Sequence, residues 1–286
     1  MKYLHPYFLC ALIGVWLLTW AGAGYGVPLV NPVLTESGWH ELEPGLELGV
    51  FPVADAPDAA AVHVLRIDPA YFEFRLLNAS ATTPQELRSA REWCEEYNLV
   101  AAINASMYQQ DYLSSVSLMR TAGHINNPRL SKDRAILAFD RRTTTVPALR
   151  IIDRQCEDFN DWTSQYTTFV QSIRMISCTG QNVWRPNAQK KWSTAAIAVD
   201  HEGRGLFIHI RVPFSTHDLI NILLDLPLGI SRAMYAEGGR EAQLYLHSGE
   251  QKYEFVGSYV PGFMEGSRNR VAARIPNVIG ISRREK

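Results

Sequence analysis

The sequence predicts an α+β fold, a single domain of mixed or antiparallel β-sheet with a few packing helices. Three observations carry that prediction. Short segments alternate side-chain type every second residue, the period of a half-buried strand. Helical patterns are few, and each has its own capping residues. After residue 62 there is no repeat, low-complexity tract or linker that would divide the chain of 286 residues.

The elements follow in order. His63 to Ile67 and Phe72 to Leu76 alternate as strands. Thr83-Pro84-Gln85-Glu86 offers a threonine cap, a proline at the first helical position and a glutamate three residues past the cap, which predicts a helix from there to about Tyr97. Leu99 to Ile103 is a continuous apolar run, as in a strand buried on both faces, and it delivers Asn104 to a strand end. Ala195 to Asp200 and Leu206 to Val212 flank a glycine-bearing loop and predict a hairpin. Ser215 or Thr216, with Asp218 behind, caps a helix carrying Leu219, Ile220, Leu223 and Leu224, and Pro227 ends it. Arg232 to Glu237 and Gln243 to His247 read as strands on either side of Gly238-Gly239.

At the front, Lys2, the apolar run Phe8 to Leu18 and the small triplet Ala21-Gly22-Ala23 have the order of a secretory signal, with cleavage expected after Ala23. The run is shorter than the roughly 20 residues of a membrane-spanning helix, although Tyr7 to Ala23 is an alternative uncleaved anchor. Residues 1–23 are thus read as a signal peptide, 24–61 as an extended arm and 62–286 as the domain, exported to a periplasm or secreted, with no membrane span after cleavage. Export places Cys94, Cys156 and Cys178 in an oxidising compartment. Cys94 reads as a buried thiol on a helix, and Cys156 and Cys178 can close a loop.

With 28 basic and 29 acidic side chains the net charge is −1, so the chain lacks the basic excess that attracts nucleic acid. No CxxC pair or Cys/His cluster has zinc-site spacing, and no metal or other cofactor is expected.

Chemistry concentrates at Met234 to Ala242. A carboxylate, Glu237, stands at a strand end before Gly238 and Gly239, where the missing Cβ atoms let backbone amides approach a ligand. Glu241 follows four residues on, with Arg240 between them. The plainer alternative is a tight turn with solvated charges. Asn104, in Ile103-Asn104-Ala105-Ser106-Met107-Tyr108, both donates and accepts, which suits sugar hydroxyls; alternatively it bonds its own turn. Gly123 to Asn127 is a third polar turn. His209 reads equally as an interior or a catalytic residue, His217 as solvent-facing, and Trp184 and Trp192 as core or as sugar-stacking rings.

The Ile103 to Tyr108 segment resembles the I-N-G-G-F-F segment of the phosphodiester glycosidase family. Trp192 to Asp200 resembles that family's R-T-A-I-G-I-D strand, Tyr235 to Gln243 its L-D-G-G-G-S-S or bacterial L-E-G-G-P-E-A turn, and Arg274 to Gly280 its V-P-N-A-L-G strand. Order and spacing agree over residues 62 to 281. There are departures. Thr194 stands where the family has arginine, Ser106 replaces a glycine, and Glu241 occupies the serine position.

The resemblance implies a bacterial-like, exported enzyme that cuts the sugar–phosphate bond of a sugar 1-phosphodiester, such as an N-acetylglucosamine 1-phosphate diester of an envelope or extracellular glycan. A phosphate ester leaves readily, so the site must chiefly place charge. In that scheme Glu237 attacks or activates water and Glu241 takes the complementary role. Arg240 and Arg174 meet phosphate with the amides of Gly238 and Gly239, and Asn104 and Tyr108 hold the sugar. Two alternatives remain: a non-catalytic glycan-binding module on the same fold, and a metal-assisted hydrolase using Glu237, Glu241 and Asp200.

Overall fold

A computed structural model describes residues 37–54, 60–258 and 271–285. The expected signal peptide lies outside these residues. Among the described residues, no helix is long and apolar enough to cross a membrane.

In chain order the strands and helices are β1 (Gly38–Glu43), β2 (Leu46–Pro52), β3 (Ala61–Ile67), β4 (Phe72–Asn78), α1 (Ala90–Tyr97), β5 (Ala101–Asn104), β6 (Met119–Arg120) and β7 (Ile125–Asn127). Next come β8 (Ala135–Arg141), β9 (Leu149–Asp153), α2 (Asn160–Thr163), β10 (Tyr166–Ser172), β11 (Arg174–Ile176), β12 (Trp192–Asp200) and β13 (Gly205–Phe214). The remainder are α3 (Thr216–Asp225), β14 (Ile230–Gly238), β15 (Gln243–Ser248), β16 (Gln251–Val256) and β17 (Asn277–Arg283). The architecture is dominated by antiparallel sheet, with helices in the minor, covering role.

Three sheets form, in the orders β1-β2-β3-β13-β12-β14-β11, β7-β6-β10-β8-β9 and β16-β15-β5-β17-β4. The last strand in sequence, β17, inserts between β5 and β4 and not at an edge. Leu65, Ile197, Phe207 and Met234 of the first sheet, Leu137 and Phe139 of the second, and Ile103, Leu244 and Ile279 of the third share one apolar core. β12 is buried on both faces. Ala195, Ile197 and Val199 face that central core, while Ala196 and Ala198 lie under Leu219, Ile220 and Leu223 of α3. This is why its sequence reads as a near-continuous apolar run. The third sheet is covered by α1 through Trp93 and Cys94, which pack on Ala102, Tyr245 and Val278.

Three expectations change. The segment read as an arm supplies two strands, β1 and β2, that extend the first sheet, with Leu46 and Leu48 fully buried. The helix expected from Thr83 starts at Ala90. Ser89 accepts a hydrogen bond from the Glu92 amide while the Glu92 carboxylate accepts one from the Ser89 amide, a complete capping box that Thr83 does not form. The strand to Gly238 also begins earlier than read, at Ile230. The hairpin of β12 and β13, the buried β5 and the Ser215-capped α3 form where their residues predict. Cys156 and Cys178 are disulfide-bonded, and Cys94 is a buried free thiol.

Candidate active site

β14 runs through the first sheet between β12 and β11, so it carries Glu237 from the interior to the sheet's end. Its pairing with β12 shifts register twice, once at the far end between Val199 and Asp200 and once here: Ala196 faces Tyr235, whereas Ala195 faces Glu237. The extra residue is a bulge, a device that re-aims side chains beside functional sites. Tyr235 points beneath the turn toward Trp184, their ring centroids 5.9 Å apart, and Glu237 is left partly buried.

The two glycines have separate reasons. A Cβ on Gly238 would lie 1.9 Å from Tyr235 Oη and 2.8 Å from Trp192 Cδ1, so the phenol occupies the space a side chain needs. Gly239 has φ +69°, the left-handed region that favours glycine. One turn of 3₁₀ helix, Gly239 to Glu241, then leads into β15.

Distant strands clamp this turn. Asn104, at the end of β5, donates from Nδ2 to the Glu241 carbonyl at 2.8 Å and accepts at Oδ1 from the Gln243 amide at 2.7 Å. Its amide group, expected to hold sugar, therefore fixes the turn; it is buried, and its contacts are to backbone. Gly257 donates its amide to the Ala242 carbonyl at 2.8 Å, and a Cβ there would lie 1.8 Å from the Gly239 carbonyl oxygen. Because the obstacle is backbone, Gly257→Ala should cost about 1–3 kcal/mol in urea unfolding. Gly123→Ala, where a Cβ meets nothing within 4 Å, should leave stability unchanged.

The charges around the turn form one neighbourhood. Burial, reinforced by the Glu241 charge, raises the Glu237 carboxyl to about 7, against the opposing hydrogen bond donated by the Gly238 amide at 3.0 Å. Burial and the charges of Glu241 and Glu237 push the Tyr108 phenol up to about 12. Tyr235 is raised as well, by burial and by Glu237. Arg240 donates from Nε to Glu241 at 2.6 Å and is half exposed. Glu237, Glu241, Arg240 and Tyr108 are thus brought together at Gly238 and Gly239.

Arg174 is not free to join them. Its Nη1 donates to both oxygens of Asp153 at 2.8 Å, and the Asp153 side chain is 1% exposed. Removing that guanidinium would strand a buried carboxylate, so its first role is structural. Asp200 is also apart from the turn. It pairs with Ile230 at the far end of β12, whereas Ala195 pairs with Glu237; the five intervening steps span ~17 Å. Its carboxylate accepts from the Glu202 and Arg204 amides and from Arg204 Nε. The trio proposed for a metal-assisted hydrolase is therefore not assembled. Among the described residues, the grouping with metal-like proximity is Asp153 with Cys156 and Cys178, and the two sulfurs are bonded to each other.

His209 is an interior residue. It faces His63 across β13 and β3, both rings lie on Phe255, and its Nε2 is 3.3 Å from the Ala242 carbonyl oxygen. His217 caps nothing but sits beside Asp218 at 3.2 Å. Asn126, in the third polar turn, donates to Ser80 and the Leu113 carbonyl and accepts from the Ser115 amide, fastening the loop that follows Tyr108. Sequence reasoning gave Tyr235 and Gly257 no part in the site. The Tyr235 position was quoted in the turn motif, but nothing local to Gly257 signals its closeness to Gly239.

Solved structures show the same fold. The catalytic domain of zebrafish N-acetylglucosamine-1-phosphodiester alpha-N-acetylglucosaminidase, auto-inhibited by its pro-peptide, superposes with a TM-score of 0.60 at 13% identity over 87% of each chain. A hypothetical protein from Synechocystis gives 0.54 at 16% identity, over 84% of this chain and 62% of that one. No curated protein sequence matches this chain. The family model described as phosphodiester glycosidase matches residues 97–282, which span β5, the β12–β13 hairpin, the diglycine turn and β17. The chain belongs to the phosphodiester glycosidase family.

Proposed function

We propose that this protein hydrolyses the bond between the anomeric carbon and the phosphate oxygen of a sugar 1-phosphodiester, in a glycan of the cell envelope or beyond it. The observation that carries this reading is the raised, partly buried Glu237 carboxyl held beside Glu241 at an amide-rich turn. A carboxyl near 7 is poised to accept a proton from water or to attack carbon at neutral pH. Water supplies the hydroxyl that ends on the sugar, and the departing oxygen leaves on a phosphomonoester.

Glu241, bound to Arg240, serves the complementary role, and Arg240 with the Gly239 amide faces the phosphate, while the Gly238 amide holds Glu237. Tyr108, kept protonated by its surroundings, donates a hydrogen bond to the sugar. Export to the envelope rests on the leader-like first residues. The test is incubation with the methyl diester of N-acetylglucosamine 1-phosphate. Release of free N-acetylglucosamine supports the reading. Glycan binding without release would favour the non-catalytic module, a reading that Thr194 in the arginine position and its buried, unpartnered hydroxyl among the described residues keep in play.

A further inference from the structure

Tyr112 stands out among the described residues. Its side chain is 56% exposed, and its backbone has φ +58°, a conformation that bulky residues rarely adopt. The surrounding loop maintains that conformation. The Tyr112 amide donates to the Gln109 carbonyl at 3.0 Å, and Gln109 donates its amide to the Ser114 carbonyl at 2.7 Å. The Asp111 carboxylate accepts from the Leu113 and Ser114 amides, and the loop's foot closes where the Val116 amide donates to the Met107 carbonyl. Asn126 and Asn277 both donate to the Leu113 carbonyl, tying the loop to the ends of β7 and β17. A large ring is thus held more than half out in water on a fixed backbone.

What it faces is the site. The Tyr112 ring lies 5.9 Å from the Tyr108 ring at 45°, and Tyr108 in turn feels the charges of Glu241 and Glu237. Tyr108 is half-buried and Tyr112 exposed, so the pair of rings steps from the neighbourhood of the carboxylates toward solvent. A hydrolase that frees a terminal sugar holds that sugar deepest and its leaving group outermost.

We propose that the Tyr112 ring forms an aromatic platform that stacks on a pyranose ring on the leaving side of the phosphate, making it a specificity-determining residue for the alcohol half of the diester. The apolar face of a pyranose suits a tyrosine ring, whose hydroxyl can bond the sugar's edge. This subsite deepens the proposed reaction and rests on it.

The experiment compares two diesters of N-acetylglucosamine 1-phosphate, one with methanol and one with the 6-hydroxyl of glucose. Tyr112→Gly removes the ring at a backbone angle glycine accepts, so folding should be kept, and Tyr112→Phe retains the ring. Expected are a roughly five- to tenfold higher KM of Tyr112→Gly for the glucosyl diester, an unchanged kcat, little change for the methyl diester, and near wild-type behaviour of Tyr112→Phe. Equal effects on both diesters, or none on either, would overturn the platform. If the wild type cleaves neither diester, the reaction fails and the platform is judged by binding alone. Saturation-transfer NMR with glucose 6-phosphate should then show ring-proton contact in the wild type that Tyr112→Gly loses; contact retained in the variant, or absent from both proteins, would overturn the platform as well.

Discussion

Glu237→Gln should lower turnover of a sugar 1-phosphodiester by about 10²–10⁴-fold, the range for losing a positioned acid–base group, while leaving the fold intact. Glutamine matches glutamate in size, and its carbonyl oxygen can still accept the hydrogen bond from the Gly238 amide. Stability at pH 8 should be equal or higher, because the variant no longer has to ionise a carboxyl in partly buried surroundings. That combination separates a chemical defect from a folding defect. In the wild type, kcat/KM should climb as pH rises through about 7, where Glu237 loses its proton. Unchanged turnover in the variant would remove Glu237 from the reaction. A profile that falls through 7 would make it the proton donor instead.

The second large effect is a loss of stability in mild acid. Burial lowers His63 to about 4; burial, helped by His63 and Arg211 and opposed by the Ala242 carbonyl, lowers His209 to about 3. Both lie below the unfolded value of about 6.5, so the unfolded chain takes up these protons first. Their contribution is therefore complete above 6.5 and lost as pH falls toward 4 and 3. Each proton is worth ~1.4 kcal/mol per pH unit inside that window. Glu237 acts in the opposite sense. Its folded value is raised, so its contribution is complete below the unfolded value near 4.3 and lost as pH rises through 7.

Between pH 6.5 and 4.5 these three groups alone should lower wild-type stability by ~1.4 kcal/mol per unit, two histidine protons less one carboxyl proton, with the raised carboxyls of Asp140 and Glu254 opposing the loss further. Glu237→Gln should lose ~2.7, because the opposing group is gone, and His209→Gln close to nothing, because one histidine then balances Glu237. Urea unfolding at several pH values measures all three, and a common slope would show that these buried groups do not govern acid sensitivity.

How much of this was legible depended on how local each signal is. The buried run before Asn104, the β12–β13 hairpin, the cap of α3 and the Glu237-Gly238-Gly239 turn are each written within a few neighbouring residues, and all form where read. The start of α1 was misplaced because two capping patterns lie six residues apart, and only the Ser89–Glu92 pair closes on both sides. β1 and β2 hid in a segment rich in proline and glycine: β1 is an edge strand, which tolerates residues that a central strand cannot, and the proline of β2, Pro52, stands at its last position. In the second sheet β6 and β7 are two and three residues long, too short to leave a periodic signal, whereas β8 and β10 are seven residues each and their signal went unread. The identity of Arg174's partner is a property of packing alone: Asp153 is 21 residues away, and the pair meets only when the end of β9 in the second sheet reaches the start of β11 in the first. The same holds for Gly257.

The insertion of β17 between β5 and β4 bears on how this protein is made. Asn104 and Glu241, which clasp each other at the turn, are 137 residues apart, and the strand completing their sheet comes from the C-terminal stretch. Such remote pairings are slow to close, because chain entropy must be lost before the contacts repay it. The diglycine corner is therefore completed only once β17 has been made, and a ribosome-bound chain lacking residues 277–283 has an open gap where its third sheet should knit together.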